Sequence, residues 1–383
     1  MSDFVHDLGR GLAGTALYQA VLARDSGQWD TVATTTATLA GQPVAVHPAG
    51  ASLYRGAPAV AYVLQTAGHP AYRSALGSLD DALAKLVRTR LADAHRRMET
   101  GRPPRMWEYD LISGLTGLGA LLLHRGTQPA LLDDVLRYLV RLLQQAITVN
   151  GEEVPGWWTS DSPSGRTDAA WPTGHGNFGM AHGVAGPIAL LALSTRAGHT
   201  TAGQLPALTD ICRLLEERAH CLTNGAVSWP ETVTLDSWIN RSPVPARPGR
   251  PSWCYGTPGI ARALQLAAIE CSRTTTQRLA EDALMTCASD PEQLAHVDNA
   301  TVCHGWAGIC LAAERSAADT AQDSALRRVL PSLHSHFATH VAKHPLPETA
   351  GLLTGADGIL LALHDLNATR ATAPAWDTCL LLD

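Results

Sequence analysis

The chain has 383 residues, 45% of them hydrophobic and 17% charged, and a formal net charge of −6. A sizeable buried core follows, and without a long charge run neither an extended disordered segment nor a nucleic-acid-binding stripe is expected. Length alone fits one large domain or two or three ordinary ones.

The opening residues Met1, Ser2, Asp3 and Phe4 lack the basic and apolar regions of a signal peptide, and no apolar run reaches the roughly 18 residues that span a bilayer. A soluble, cytoplasmic protein without membrane insertion is expected, its eight cysteines reduced. Six of them, Cys212, Cys221, Cys271, Cys287, Cys310 and Cys379, read as small buried hydrophobes.

One unit then recurs along the chain, a Gly-x-x-Gly turn followed by an apolar helical run. In order it reads GLAGTALYQAVL from Gly11, GAPAVAYVL from Gly56, GLTGLGALLL from Gly114, GVAGPIALLAL from Gly183, GTPGIARAL from Gly256, GWAGICLAA from Gly305 and GADGILLAL from Gly355. The second copy is degenerate, with Ala59 in place of its closing glycine. Successive starts are separated by 45, 58, 69, 73, 49 and 50 residues, which suits two helices and two loops per unit. The intervening segments have an amphipathic helical period, as in LGSLDDALAKLVRTRL from Leu76 and LLDDVLRYLVRLLQQAI from Leu131. Helices apolar nearly all round suit an inner layer and those with one wet face an outer layer, so seven inner and seven outer helices are predicted in an all-α fold. Glycine at both ends of the turn lets the chain lead tightly into the inner helix and lets neighbouring helices approach. An open solenoid fits the same repeat, but polar residues recurring at one place in several copies favour closure around a shared centre.

Two stretches break the rhythm. GWWTSDSPSGRTDAAWPTGHGNFGMAHG from Gly156 and NGAVSWPETVTLDSWINRSPVPARPGRPSWCYG from Asn224 hold six of the ten tryptophans and many prolines. Long ordered loops are usually functional, and such walls suit an extended peptide, with loop packing as the alternative.

Counting back from the first glycine of each turn aligns the polar residues. Cys254 and Cys303 lie two before Gly256 and Gly305, His182 and His304 one before Gly183 and Gly305, and Asp110 four before Gly114. Similar phase means similar height, so all five emerge at one end of the bundle, with Cys254 and Cys303 on neighbouring helix pairs. Cys254, Cys303 and His304 together offer the three ligands of an open catalytic zinc site. Two thiolates and a neutral imidazole cancel the charge of Zn²⁺, so the ion stabilises an incoming thiolate while leaving it nucleophilic. Thiol alkylation is the chemistry this favours; a hydrolase more often uses histidines and a carboxylate to acidify water.

The stretches YDLISG from Tyr109, AHGVAG from Ala181, WCYGTPG from Trp253 and CHGWAG from Cys303, in this order and with seven repeats, resemble the lanthionine synthetase C-like proteins, the cyclases of lanthipeptide biosynthesis. The resemblance implies an α/α toroid of seven inner and seven outer helices. It also implies an enzyme that adds a peptide cysteine thiol across a dehydroalanine or dehydrobutyrine to close a thioether ring. By the same resemblance Cys254, Cys303 and His304 bind catalytic zinc, and Arg250, Tyr255, His182 and Asp110 are active-site residues. His182 would deliver a proton, Asp110 orient it, Arg250 stabilise an oxyanion or brace Asp110, and Tyr255 donate to the enolate oxygen or pack against the zinc loop. The longest spacing leaves roughly 25 residues beyond the shorter repeats, too few for an independent core, so residues 1–383 are read as a single domain. The implied partners are a dehydrated precursor peptide and a separate dehydratase.

Other readings are weaker. GHGNFG from Gly174 and GRGLAG from Gly9 spell G-x-G-x-x-G, but neither follows a strand, and His175 is expected to line the cleft or cap a loop. His334, His336, His340 and His344 are expected to be solvated on a late helix with no paired acid. A relative that binds or adds glutathione, or a non-catalytic peptide-binding module, is the main rival. An α/α-barrel glycosidase or terpenoid cyclase leaves the cysteines unexplained.

Overall fold

The computed structural model describes residues 5–222, 225–241, 249–367 and 376–383. Residues 1–4, and Asn224 and residues 242–248 of the second tryptophan-rich stretch, lie outside this set. Inner and outer helices alternate along the chain: α1 (Leu12–Ser26) is inner and α2 (Asp30–Ala40) outer. The alternation continues through α3 (Ala57–Ala67), α4 (Arg73–Glu99), α5 (Leu115–Arg125), α6 (Pro129–Gln144), α7 (Ala185–Arg196), α8 (Gln204–Glu217), α9 (Thr257–Glu270) and α10 (Thr274–Ser289). It ends with α11 (Trp306–Ala318), α12 (Ala325–Lys343) and the inner α13 (Ala356–Asn367). All seven predicted turns therefore open an inner helix.

The two layers differ as their sequences require. In α9 every residue from Thr257 to Ala268 is buried, whereas the longer α12 buries only Leu326, Leu333 and Phe337. Each inner helix packs on the next, and α13 packs on α1, where Thr15 Oγ1 donates to Asp357 Oδ2 at 2.8 Å. The ring is closed, as the recurring polar residues suggested. Six outer helices occur among the described residues, one in each interval between inner helices, instead of the seven expected. The described stretch after α13 adds no outer helix and turns inward.

That stretch fills the middle of the ring. Leu380, Leu381 and Leu382 are fully buried, and four backbone carbonyls of this stretch accept from side chains of the ring. Tyr54 and Tyr62 hydroxyls donate to Cys379 O and Trp376 O at 2.8 and 2.6 Å, Trp253 Nε1 to Leu380 O at 3.0 Å and Arg262 Nε to Leu382 O at 2.7 Å. These donors come from opposite sides of the toroid. Arg315 is buried too, and its charge is met by Asp377 and Asp365 at 2.7 and 2.9 Å, as a charge removed from water requires.

The helix expected to run through Ile147 stops at Gln144. Ala146–Val149 forms β1 and pairs antiparallel with β2 (Glu152–Pro155). Asn150 and Gly151 turn the hairpin with φ of 54° and 84°, the left-handed pair that a two-residue hairpin loop needs. The two tryptophan-rich stretches are tied together by β3 (Gly176–Asn177) pairing with a strand at Thr232–Val233.

The closing glycine of the repeat has a specific steric reason. A Cβ on Gly259 or Gly308 would fall inside contact with Trp253 O or Val302 O, the carbonyl three residues before the turn's first glycine. In the copy with Ala59, Gly56 instead leads into the helix at φ 70°. Gly308→Ala is therefore expected to lower stability by about 2–3 kcal/mol. Gly77→Ala, on the open face of α4 where an added Cβ meets nothing, should raise it by about 0.5–1 kcal/mol. Urea unfolding of the two variants measures both, and shifts of the same sign would contradict the steric account.

Candidate metal centre and proton-transfer pair

Backbone hydrogen bonds stitch the seven turns together at one end of the toroid. Leu111 N–H donates to Ala181 O, Ala181 to Cys254 O, Cys254 to Cys303 O, Cys303 to Leu353 O and Leu353 to Gly9 O, at 2.9–3.2 Å. Leu8 N–H continues to Tyr54 O at 2.9 Å. Every link uses a residue two or three before the first glycine of its turn, so the phase counted along the chain is a height in the fold. The residues one before that glycine, among them His182, Tyr255 and His304, are partly exposed and form the rim of a mouth.

The belt brings Cys254 and Cys303 together from adjacent turns. Their Sγ atoms and a ring nitrogen of His304 all lie within 4.8 Å of one another, and among the described residues no other group of three metal-ligating side chains is so gathered. Cys254 is buried, and Cys303 and His304 are half-buried. The hydrogen bond from Cys303 holds the Cys254 thiol well below its ordinary range, against burial and with help from His304 and Ser252. The same hydrogen bond, then burial, pushes the Cys303 thiol up. Two thiols sharing one proton beside an imidazole fit a divalent ion that takes two thiolates and a nitrogen and keeps a fourth position open.

Beside this cluster, His182 Nδ1 donates to Asp110 Oδ2 at 2.6 Å, and Asp110 Oδ1 accepts from Ser113 N–H at 2.6 Å. Asp110 is buried while the His182 side chain remains 34% exposed. Burial pushes the imidazole pKa down, but the Asp110 charge and hydrogen bond, with a smaller contribution from Cys254, raise it above its ordinary value. Tyr255 sits 6.2 Å from His182 between ring centroids, and burial pushes its phenol up to about 12, so it is a neutral donor.

Arg250 pairs with Asp298 at 3.4 Å rather than bracing Asp110. The guanidinium whose charge reaches Asp110 is that of Arg90, which donates to the carbonyls of Ser113, Pro48 and Ala51. The Arg250 charge instead lowers the Cys303 thiol and the Glu231 carboxyl, against the burial that raises both.

Residues 4–381 match the profile of the lanthionine synthetase C-like protein family. The chain belongs to that family. It is 26% identical to the nisin biosynthesis protein NisC of Lactococcus lactis subsp. lactis over 263 residues, a match that spans 67% of this chain and 60% of NisC. It also superposes on a solved structure of nisin cyclase with a TM-score of 0.80 at 20% identity, covering 100% of this chain and 93% of that one. The family's α/α toroid is thus the fold of this chain.

Several expected residues have other duties. Trp157, Trp158, Trp229 and Trp253 are buried in the core, so loop packing and not a peptide-facing wall accounts for them. His175 is buried and caps a loop through Nδ1 to Asp161 O at 2.8 Å. His334 does have an acid, Glu314 at 2.9 Å, and His336 stacks on Trp306 with 5.7 Å between centroids. Cys221 is exposed and Cys271 half-buried, unlike Cys212, Cys287, Cys310 and Cys379. Ser252 was missed: its Oγ accepts from Tyr255 and Gly256 N–H at 3.2 and 2.9 Å and lies 3.7 Å from Cys254 Sγ. Its signal was available, since it stands four before Gly256 as Asp110 stands four before Gly114.

The His182–Asp110 pair has a pH signature. With an ordinary value near 6.5 and a raised pKa in the fold, it stabilises the protein fully below about pH 6.5 and loses that contribution as the pH rises through the raised value. Asp110→Asn should move the His182 titration to lower pH in an NMR titration and remove this rise of stability toward acid. An unmoved His182 titration would contradict the electrostatic assignment.

Proposed function

We propose that this chain is a zinc-dependent lanthipeptide cyclase, adding peptide cysteine thiols to dehydroalanine or dehydrobutyrine to form (methyl)lanthionine rings. The observation that carries the proposal is the gathering of Cys254, Cys303 and His304 within 4.8 Å beside the His182–Asp110 pair at one mouth. Both relatives, a nisin biosynthesis protein and a nisin cyclase, support the same reading.

Cys254, Cys303 and His304 would hold Zn²⁺, which supplies the Lewis acidity that ionises an incoming thiol at neutral pH. In the addition a sulfur–carbon bond forms at Cβ, the double bond breaks, and its electron pair becomes an enolate. The proton lost from sulfur is balanced by one gained at Cα. His182, with Nδ1 fixed on Asp110, has Nε2 left to deliver that proton, and the Asp110 charge and hydrogen bond favour its protonated form. Tyr255, a neutral phenol, donates to the enolate oxygen, and the positive charge of Arg250 opposes the charge building there. The filled centre of the ring leaves the rim as the side from which a peptide arrives.

The reading as one domain over residues 1–383 belongs to this proposal. It rests on a core cluster that runs from Leu8 to Leu382 among the described residues. So do the dehydrated precursor peptide as substrate, a separate dehydratase as partner and a cytoplasmic site of action. No helix among the described residues is long and apolar enough to cross a membrane.

Metal analysis paired with cyclisation of a dehydrated peptide, read by loss of alkylatable thiol, tests the scheme. Cys254→Ala and Cys303→Ala should lose both metal and activity. His182→Ala should keep the metal and lose activity at least about a hundredfold. Full turnover by a metal-free sample, or metal loss in His182→Ala, would reject it.

A further inference from the structure

The repeat places a second acid-to-neighbour pair on the rim. Asp110 stands four before the first glycine of the third turn. Its Oδ1 caps the amide of Ser113, one before that glycine, and its Oδ2 holds His182, one before the first glycine of the next turn. Asp7 stands four before Gly11, and its contacts repeat the pattern. Its Oδ1 accepts from Arg10 N–H at 2.8 Å, one before Gly11, and its Oδ2 meets Arg55 at 3.5 Å, one before Gly56. Arg55 thus occupies in the second turn the place that His182 occupies in the fourth.

The acid is buried in both pairs and the partner open: the Asp7 side chain is 9% exposed and Arg55 57%. Arg10 is exposed beside it, and its backbone is held by the seventh turn, where Leu353 N–H donates to Gly9 O and Gly351 abuts the Arg10 Cα too closely for a Cβ. In the closed order of seven turns, the second lies diametrically opposite the junction of the fifth and sixth, where Cys254 and Cys303 meet. Arg10, one before Gly11, and Arg55, one before Gly56, stand at the offset that His182, Tyr255 and His304 occupy in their own turns, and backbone bonds hold the turns at one height. A guanidinium stays protonated through the neutral range, so it cannot pass a proton as His182 does from the equivalent place. It can hold an anion, and its fork matches a carboxylate.

We propose that Arg55, oriented by Asp7, and Arg10 beside it form a carboxylate-binding subsite on the wall of the mouth opposite Cys254 and Cys303, engaging an acidic side chain or the C-terminal carboxylate of the peptide substrate. This rests on the reading of the substrate as a peptide, in which carboxylates are the anions on offer apart from the reacting sulfur. The subsite fixes how a peptide crosses the mouth while its cysteine lies at the other wall.

The test uses fluorescently labelled synthetic peptides, each with one cysteine and with alanine in place of the dehydroamino acid, so that binding is read by anisotropy without turnover. Four versions combine Glu or Gln near the cysteine with a free or amidated C-terminus. The wild-type full-length protein should bind the version bearing the recognised carboxylate about fivefold or more tightly than its neutral counterpart, and the pair that differs identifies the source. Arg55→Gln and Arg10→Gln should each shrink that ratio, the double variant should bring it to about one, and Arg55→Lys should restore part of it. A wild-type ratio of one, or a loss of binding in Arg55→Gln that is equal for charged and neutral peptides, overturns the subsite. Cyclisation of matching dehydrated peptides by the wild-type protein is scored separately, so failure of the cyclase reading is told apart from failure of this one.

Discussion

The geometry of this protein depends on one repeated contact, a backbone N–H in one turn donating to a carbonyl in the next, from the third turn round to the second. At the centre of interest it is the bond from Cys254 N–H to Cys303 O, 3.2 Å long. Because the bond is between main chains, it fixes the spacing of the two Cα positions whatever side chains they carry, and the thiols follow. The closing glycines make the contact possible, since a Cβ at Gly259 or Gly308 would push the helix away from its own turn and carry the turn off the belt. Packing of the apolar inner helices supplies the stability, and the belt converts that stability into position.

The ring order and the phase of the site residues were legible in the sequence because both are periodic. A repeat that must close on itself shows its height as an offset from a glycine, and Cys254, Cys303, His304, His182 and Asp110 could be placed together before any coordinate was known. Features outside the period were not legible in the same way. The Asn150–Gly151 hairpin overrode a helical pattern in Ala146 and Ile147, although Asn-Gly is itself a strong local turn signal. The burial of Trp157 and Trp158 depends on the second long loop folding over the first, a contact between segments distant in sequence. The place of Trp376 to Leu382 in the centre of the ring depends on donors from the second and fifth repeats, which no local pattern announces. The partner of Arg250 is Asp298, and a single sequence offers no means of choosing it over Asp110.

Electrostatically the rim is divided. On one side two thiols are joined by a hydrogen bond that lowers the Cys254 thiol, and on the adjoining side a buried carboxylate raises the pKa of an imidazole. These two settings differ in what they do to an ionisable group. In the thiol pair one hydrogen bond lowers Cys254 and raises Cys303, so the first deprotonation is easier than the second. The imidazole pair favours the protonated form through the Asp110 charge and hydrogen bond. A reaction that takes a proton from sulfur and returns one to carbon needs both settings within reach of one molecule, and the belt sets them on neighbouring turns.

The cysteines can be separated from the demands of the fold by looking at what stands in their place elsewhere. The position two before the first glycine is filled by Gly9, Tyr54, Ile112, Ala181 and Leu353 in the other five turns, from no side chain at all to a full aromatic ring. The belt runs at the same height past all of them, using only their main chains or those of the residues beside them. An apolar residue there needs no partner, whereas a thiol pair pressed together in a buried site gains little in packing and must share a proton. The fold therefore has no structural need of sulfur at Cys254 or Cys303, and two such residues on adjacent turns, beside the imidazole of His304, make a donor set that suits a divalent ion.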